Sequence, residues 1–196
     1  MSTPASRAPL RLGLAGLGTV GIGVVKIVQE HAALIAARAG RPVVITAVSA
    51  RDRTKNRDAD LSGYAWESDP VALARRDDVD VFIEVMGGHD GPAKDATEAA
   101  IATGKDVVSA NKALLAHHGQ ALALAAEAAG RVIRFEAAVA GGIPVIKTLT
   151  EGLAGNKMRR VMGVMNGSCN YILTRMQSEN LPYAAVFEEA RQQGYL

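Results

Sequence analysis

A glycine-rich hexapeptide near the amino terminus has the residue types and spacing to bind the phosphates of a nucleotide. It reads Gly16-Leu17-Gly18-Thr19-Val20-Gly21 and directly follows the apolar run Leu10–Ala15. The first glycine allows a tight turn, the second lets the backbone approach a pyrophosphate, and the third permits close helix packing. A tight turn between packed elements, without any ligand, is the alternative. Because the pattern follows a predicted strand and opens a predicted helix whose amino terminus attracts negative charge, it favours a dinucleotide site.

The residues after the second predicted strand bear on which dinucleotide binds. NAD enzymes usually have an acidic residue there, which accepts hydrogen bonds from the ribose hydroxyls. This chain has Arg51, then Asp52 and Arg53, with Lys55 close behind. A guanidinium binds a phosphate in a forked geometry, so Arg51 favours the 2′-phosphate of NADP, while Asp52 keeps NAD possible. A solvated basic loop without a ligand is the alternative.

Two later segments carry groups suited to a substrate or an ion. Lys112 follows the predicted strand 106–109 at its carboxyl end, where open α/β sheets bind ligands, although a lysine at a helix start needs no function. Glu136 precedes a glycine-rich turn at residues 140–144. A carboxylate with nearby carbonyl oxygens suits a hard cation, although such a turn needs no ion. The four histidines lack the spacing of a zinc site.

Alternating strands and helices predict the scaffold that positions these groups. The predicted strands cover residues 10–15, 43–48, 64–66, 79–85, 106–109 and 132–137. The predicted helices begin after Gly21, with apolar residues at helical spacing up to a break at Gly40, and continue at 70–76, 92–103 and 112–129. This alternation predicts an α/β fold, a Rossmann-type doubly wound parallel sheet.

The pattern changes after residue 140. A helix is predicted from Pro144 to about Gly152, then a strand at 157–165 and helices at 169–177 and 183–193. A sheet with so few strands would be poorly buried, so we expect an incomplete α+β domain. The predicted domains are a disordered tail at 1–9, an NAD(P)-binding domain at 10–140, and the truncated start of a catalytic domain at 141–196.

Composition narrows the classes of protein. A formal net charge of +2 and 4% aromatic residues argue against nucleic acid binding. The single Cys169 forms no internal disulfide, and residues 1–9 lack the apolar core of a signal peptide, which favours the cytoplasm. The longest apolar stretches, such as 121–129 with its Glu127, are too short to span a bilayer.

Four motifs follow one another along the chain. They are the glycine hexapeptide, Ser109-Ala110-Asn111-Lys112, the segment 136–144, and Asn166-Gly167-Ser168-Cys169-Asn170-Tyr171-Ile172-Leu173. In this order and combination they resemble homoserine dehydrogenase. The resemblance covers nearly the whole chain after residue 9, and the last two motifs are the most specific. It implies reversible NAD(P)H-dependent reduction of L-aspartate 4-semialdehyde to L-homoserine, in threonine and methionine biosynthesis.

The resemblance also implies roles for single residues. Lys112 matches a lysine beside cofactor and substrate, and Gly167 and Ser168 match a substrate-contacting Gly-Thr pair. Gly194, at the cofactor, and Tyr195, at the substrate, match the start of a Gly-Tyr-x-Glu segment. A monovalent cation, usually sodium, would be held by Glu136 and by backbone oxygens of Val139, Gly141 and Ile143.

The chain departs from the family at its carboxyl end. The glutamate of the Gly-Tyr-x-Glu segment, and a later aspartate and lysine that handle homoserine, would follow Leu196. We therefore expect weak or no activity of this chain, and a homodimer for the full-length enzyme; the group that transfers the proton and dimerisation of this chain stay open. The alternatives are another Rossmann oxidoreductase acting on a small semialdehyde or a sugar, and a non-catalytic NADP-binding sensor.

Overall fold

The computed structural model describes residues 7–195. Two compact units make up the chain, the first ending at Thr148 and the second beginning at Leu149. Most of the predicted disordered tail lies outside the described residues, and residues 7–9 belong to no helix or strand.

A parallel sheet forms the centre of the first unit. Its strands are β1 Leu10–Ala15, β2 Val43–Ser49, β3 Ala65–Glu67, β4 Val81–Glu84, β5 Asp106–Ser109 and β6 Ile133–Arg134. Their order in the sheet is β3-β2-β1-β4-β5-β6, and every neighbouring pair is parallel. This order confirms the predicted Rossmann-type fold, and it reverses between β1 and β4, where such sheets bind ligands.

Helices cover both faces of this sheet. They are α1 Thr19–Glu30, α2 Ala32–Ala39, α3 Pro70–Arg75, α4 Pro92–Ala102 and α5 Lys112–Ala128. The short helix α6 Val145–Lys147 contacts the 3-10 helix Glu136–Ala138. Successive strand residues pack into different apolar clusters, because side chains alternate across a strand. Leu14 packs with Val25 of α1, whereas Ala15 packs with Leu73 of α3 and Leu114 of α5. The sheet is therefore buried between two helical layers.

Two predicted elements of this unit differ from the structure. The helix predicted to continue to Gly40 breaks at His31, where φ is −112° and ψ is 21°, and α1 and α2 meet at an angle of 82°. The strand predicted at 132–137 is reduced to β6, which pairs with β5 at two residues only. After Phe135 the chain forms a 3-10 helix at Glu136–Ala138. β6 lies at the edge of the sheet, so it has a hydrogen-bonded partner on one side only.

An ion pair joins β1 to the residue before β4. The Arg11 side chain donates to both carboxylate oxygens of Asp80, at 2.6 and 3.0 Å, and its backbone N–H donates at 2.9 Å. The Arg11 side-chain hydrogen bond is the main reason that the pKa of Asp80 lies below its ordinary value. The pair therefore links folding to the ionisation of Asp80.

We expect Asp80→Asn to flatten the acid dependence of the free energy of unfolding. Because the folded-state pKa of Asp80 is depressed, the ion pair contributes stability above the unfolded pKa of about 3.9 and loses it as the pH falls through the folded-state pKa. Urea unfolding between about pH 7 and pH 3 measures this. Exposed Glu127 provides the control variant Glu127→Gln. Equal slopes for wild type and Asp80→Asn would contradict the assignment.

The second unit is helical in its described part. After the π-helical segment Thr148–Gly152, α7 Gly167–Glu179 packs on α8 Tyr183–Gln192 through Ile172, Val186 and Ala190. Both predicted helices are confirmed within two residues of their ends. The strand predicted at 157–165 is wrong: these residues form neither helix nor strand. A strand needs a hydrogen-bonded neighbour, and residues 149–195 contain none.

The helix predicted from Pro144 appears as α6 continued by the π-helical segment. Among residues 7–195 no single helix has the length and apolar character needed to cross a membrane; the bent pair of α1 and α2 passes that test only when taken together.

Candidate active site

The turn between β1 and α1 gives each glycine of the hexapeptide a distinct environment. Gly16 has φ +103°, and a Cβ there would lie 2.6 Å from the carbonyl oxygen of Val85. A Cβ on Gly21 would lie 1.9 Å from the carbonyl oxygen of Gly16, whereas one on Gly18 would have no atom within 4 Å. Packing therefore excludes side chains at the first and third glycines, and the second leaves open space beside the turn.

The start of α1 provides donors that face this space. Gly18 is the N-cap residue, and no side chain caps the helix there. The first N–H groups of a helix have no partner within it, and they carry partial positive charge. Leu17 is buried below the turn, while Thr19 and Val20 are exposed. This open, uncapped turn fits the pyrophosphate of a dinucleotide.

A cavity of about 840 Å³ lies where β1, β2 and β4 end. Gly16 and Gly18, Arg51 and Lys55 after β2, and Met86 after β4 contribute to its lining. Its size is within the range of cofactor sites. A smaller cavity of about 430 Å³ beside α1 is also lined by Gly18 and Lys55. The glycine turn and the predicted basic loop thus meet at one cleft.

Within that loop, Asp52 organises the backbone. Its Oδ1 accepts hydrogen bonds from the N–H and hydroxyl of Thr54, at 2.8 and 2.7 Å, and from the N–H of Lys55 at 3.2 Å. The Thr54 hydroxyl is the main cause that holds the pKa of Asp52 below its ordinary value. Arg51 is exposed, whereas the guanidinium of Arg53 lies 5.8 Å from the ring centre of Trp66. Arg51 is therefore the better placed of the two arginines for a ligand in the cleft.

Arg57 was missed by reasoning from sequence. Its guanidinium donates to the carbonyl oxygens of Leu17, Lys55 and Asp52, at 3.1, 3.0 and 2.7 Å. It also lies 5.6 Å from the ring centre of Trp66. Arg57 therefore ties the basic loop to the glycine turn. Nothing local in the sequence marks it, because its partner Leu17 is forty residues away.

A second missed group lies at the ends of β4 and β5. The carboxylate of Glu84 is fully buried and accepts hydrogen bonds from the N–H of Met86 at 2.8 Å and the hydroxyl of Ser109 at 2.7 Å. Asn111 caps α5 by accepting from the N–H of Leu114 at 3.1 Å. The one sequence signal for this cluster is an acidic residue inside the apolar run 81–85.

The structure places Lys112 at the first residue of α5, exposed to solvent. It lines neither of the two cavities described above. The cap on α5 by Asn111 fixes the backbone that carries it. An ammonium group at this position is accessible to a small ligand.

The predicted cation ligands belong to one short segment that ends the first unit. Glu136 Oε1 accepts a hydrogen bond from the N–H of Lys147 at 3.1 Å, and the carbonyl oxygen of Ile143 accepts from Val145 N–H at 2.8 Å. Val139 and Gly141 lie in the turn between them, both exposed. Across residues 7–195, no three His, Cys, Asp or Glu side chains are grouped to hold a metal ion. A cation here would therefore depend on backbone oxygens with the one carboxylate, which suits a hard cation.

In the second unit, the predicted substrate residues come together. The Ser168 hydroxyl donates to the carbonyl oxygen of Tyr195, and the rings of Tyr171 and Tyr195 stack with centroids 4.4 Å apart. Gly167 is the first residue of α7, and Gly194 has φ +77° in the turn that ends α8. The start of α7 and the end of α8 therefore form one surface.

The charged side chains of Arg175 and Glu189 pair with each other and hold Tyr171 in that surface. Arg175 Nη2 lies 2.9 Å from Glu189 Oε2, and the Tyr171 hydroxyl donates to Glu189. The Arg175 side-chain hydrogen bond is the main reason that the pKa of Glu189 lies below its ordinary value. The ring of Tyr171 is thus fixed where it stacks on Tyr195.

Comparison with known proteins assigns both parts of the chain. Residues 16–136 match the family model described as homoserine dehydrogenase, NAD binding domain, and residues 144–196 match the model described as homoserine dehydrogenase. The homoserine dehydrogenase of Neisseria gonorrhoeae is 43% identical over 187 residues, which cover 95% of this chain and 42% of that protein. This chain thus spans less than half the length of that relative.

Solved structures agree with these matches. A homoserine dehydrogenase from Thiobacillus denitrificans superposes with a TM-score of 0.81 at 38% identity, covering 97% of this chain and 44% of that one. A hyperthermophilic archaeal homoserine dehydrogenase in complex with NADPH, 24% identical, shares the fold with a TM-score of 0.74 over 96% of this chain and 62% of its own. The resemblance found in the motifs is confirmed, and the chain belongs to the homoserine dehydrogenase family.

Proposed function

We propose that this chain is the cofactor-binding and part of the substrate-binding portion of an NADP-preferring homoserine dehydrogenase. The observation that carries the proposal is the glycine turn that opens a cavity of about 840 Å³ at the reversal of strand order, with Arg51 and Lys55 in its lining. The pyrophosphate would lie at the start of α1, and Arg51 would bind the 2′-phosphate. Family membership supplies the substrate pair, L-homoserine and L-aspartate 4-semialdehyde.

In the basic loop, Arg51 favours NADP over NAD. Within this loop, Asp52 Oδ1 is occupied by three donors of the loop itself, which leaves Oδ2 to accept hydrogen bonds from ribose hydroxyls. Arg51 is exposed and lines the cavity, which suits a phosphate that needs a charged, forked donor.

For the chemical step, we propose that Lys112 holds the oxygen of the aldehyde or alcohol. When bound, the reduced nicotinamide supplies a hydride to the aldehyde carbon, and the aldehyde oxygen takes up a proton to give the alcohol. An ammonium group stabilises the negative charge that develops on that oxygen. Asn111 contributes by fixing the start of α5.

Substrate contacts are proposed for Gly167, Ser168 and Tyr195, and a cofactor contact for Gly194. Asn166 caps α7 by accepting from the N–H of Cys169 at 2.8 Å, and the amino end of this helix attracts a carboxylate. The amino acid substrate carries such a carboxylate. In this role the protein would act in the cytoplasm in threonine and methionine biosynthesis, with residues 10–140 for the cofactor and 141–196 for the substrate, and the full-length enzyme would be a homodimer.

We expect Lys112→Ala to lower kcat/KM for NADP-dependent homoserine oxidation by roughly 10- to 150-fold, the effect of losing a charge-assisted hydrogen bond of about 1.5–3 kcal/mol. The melting temperature should not change, because Lys112 is exposed. The control is Lys94→Ala, which removes a surface pair with Glu98 at 2.7 Å. Unchanged kcat/KM, or an unfolded Lys112→Ala protein, would contradict this role.

The same assay tests the function as a whole. Where turnover of the chain is low, it is measured in a fusion of this chain to the carboxyl-terminal portion of the Neisseria gonorrhoeae relative. NADPH binding without homoserine turnover in either protein would favour a nucleotide sensor. Turnover of another semialdehyde or of a sugar, but not of homoserine, would favour a different Rossmann oxidoreductase.

We also propose that Glu136 and the backbone oxygens of Val139, Gly141 and Ile143 bind a monovalent cation, Na⁺. The support is the donor chemistry of one carboxylate and several carbonyls on a short turn. Replacing choline chloride by sodium chloride should raise the melting temperature of the wild type and of the control Glu30→Gln, but not that of Glu136→Gln, because ligand binding stabilises the folded state. The same rise in all three proteins would reject the site.

A further inference from the structure

The buried carboxylate of Glu84 contacts neither the proposed phosphate sites nor the proposed substrate residues. Carboxylates are almost never fully buried without partners, because their desolvation is costly. Glu84 has no exposed surface. Its Oε1 accepts from the N–H of Met86 at 2.8 Å and from Nδ2 of Asn111 at 3.4 Å, and its Oε2 accepts from the Ser109 hydroxyl at 2.7 Å. All its neighbours in this cluster are donors.

One of these donors, Met86, lies in a segment that lines the cleft, whereas the other two lie at the end of β5 and just before α5. Val85, Met86 and Gly87 line the large cavity on the β4 side. Asn111 Nδ2 also donates to the carbonyl oxygen of Gly88 at 2.6 Å, the residue that directly follows this part of the cavity lining. The same Asn111 side chain caps α5. One carboxylate therefore connects the cavity wall to the helix start that carries Lys112.

Burial of a hydrogen-bonded polar side chain is weak evidence for a stabilising role, because replacing such a group and its partners by apolar groups of the same shape can be nearly neutral. The Glu84 carboxylate accepts from the backbone N–H of Met86, the hydroxyl of Ser109 at the end of β5 and the side chain of the α5 cap residue Asn111, which are 2, 25 and 27 residues away. Its effect is therefore to hold the loops after β4 and β5 in place relative to one another. These loops lie on the side of β4 and β5, opposite the side of β2 and Arg51.

We propose that Glu84 is a positioning residue for the nicotinamide half of the cofactor cleft. It sets the cavity wall formed by residues 85–87 and, through Asn111, the positions of Gly88 and of the start of α5. This inference rests on the proposed function, because the cleft must hold NADPH. The cleft then has two halves. The loop after β2 binds the adenosine half of the cofactor, and Glu84 positions the residues that contact the nicotinamide half.

The test compares two ligands by calorimetry of the whole chain. NADPH occupies both halves of the cleft, whereas 2′,5′-ADP contains only the adenosine half with its 2′-phosphate. We expect Glu84→Leu to weaken NADPH binding about tenfold or more and to leave 2′,5′-ADP binding within about twofold, since only the nicotinamide side is disturbed. A merely structural role would weaken both ligands alike.

A second variant guards against misfolding. Asn111→Ser keeps a residue suited to the N-cap of α5 but removes the amide that donates to Glu84 and Gly88, and it should show the same split between the ligands. The matched control is Thr97→Val, which removes a buried hydroxyl that donates to Ala93 within α4 at 2.8 Å; both affinities should stay unchanged.

Three other results would contradict either the role of Glu84 or the proposed function. Wild-type affinity for NADPH in Glu84→Leu or in Asn111→Ser overturns the inference and leaves the proposed function standing. Equal losses for the two ligands in Asn111→Ser also overturn it. A wild-type chain that binds neither NADPH nor 2′,5′-ADP rejects the proposed function itself.

Discussion

Gly21→Ala is expected to weaken NADPH binding by roughly 10- to 150-fold, because hydrogen bonds from the start of α1 to the charged pyrophosphate, worth about 1.5–3 kcal/mol, would be lost. The new Cβ would lie 1.9 Å from the carbonyl oxygen and 2.9 Å from the carbonyl carbon of Gly16. Both atoms are backbone of the turn, so they cannot move aside as a flexible side chain would. Either the turn or α1 must shift, and the start of α1 would move away from the pyrophosphate.

The control for this substitution is Gly119→Ala in α5. A Cβ there would lie 3.6 Å from Leu115 Cβ, an ordinary contact. This variant should bind NADPH as the wild type does, and its free energy of unfolding should rise by up to about 1 kcal/mol, since alanine is the better helix former. Calorimetry and urea unfolding measure the two effects. Wild-type NADPH affinity in Gly21→Ala would show that the turn does not hold the cofactor.

Arg51→Ala is expected to weaken NADPH binding by roughly 10- to 150-fold, the loss of about 1.5–3 kcal/mol for hydrogen bonds to a charged group. NADH binding should change little, because NADH lacks the 2′-phosphate. The reason is the position of Arg51, exposed at the end of β2 and in the lining of the cavity. The measurement is the ratio of the two dissociation constants in wild type and variant.

Arg53→Ala is the matched control for Arg51. Its guanidinium lies over the ring of Trp66, 5.8 Å from the centroid, so its removal should change the NADPH affinity much less. Raising the salt concentration should reduce the NADPH preference of the wild type, because exposed charges are screened. Equal losses of NADPH and NADH affinity in Arg51→Ala would defeat the 2′-phosphate assignment.

Most of the sheet and its helices could be predicted because their signals are local. A β-branched run such as 43–48 is typical of a buried parallel strand, and its observed counterpart β2 is Val43–Ser49. Residues 157–165 show the limit of that reasoning. They have strand-like composition, but a strand forms only with a partner, and pairing depends on residues far away in the sequence.

In the cleft, too, residues with local sequence signals could be predicted, whereas residues that act through distant partners could not. The three glycines are recognisable from spacing, and steric contacts give Gly16 and Gly21 a reason to lack side chains. Arg57 and Glu84 act through partners up to 40 and 27 residues away. No local pattern marks Arg57, and the acidic residue inside the apolar run 81–85 marks Glu84 without indicating its partners. The break at His31 was also missed, because it is a change of backbone conformation within a run that has helical spacing throughout.

The most direct test is a calorimetric titration of the purified chain with NADPH and, in parallel, with NADH. We expect saturable binding of one NADPH per chain, with NADPH bound at least about tenfold more tightly than NADH, the effect of about 1.4 kcal/mol from the 2′-phosphate. Absence of saturable binding by either dinucleotide would contradict the assignment of the cleft between the glycine turn and Arg51 as the cofactor site.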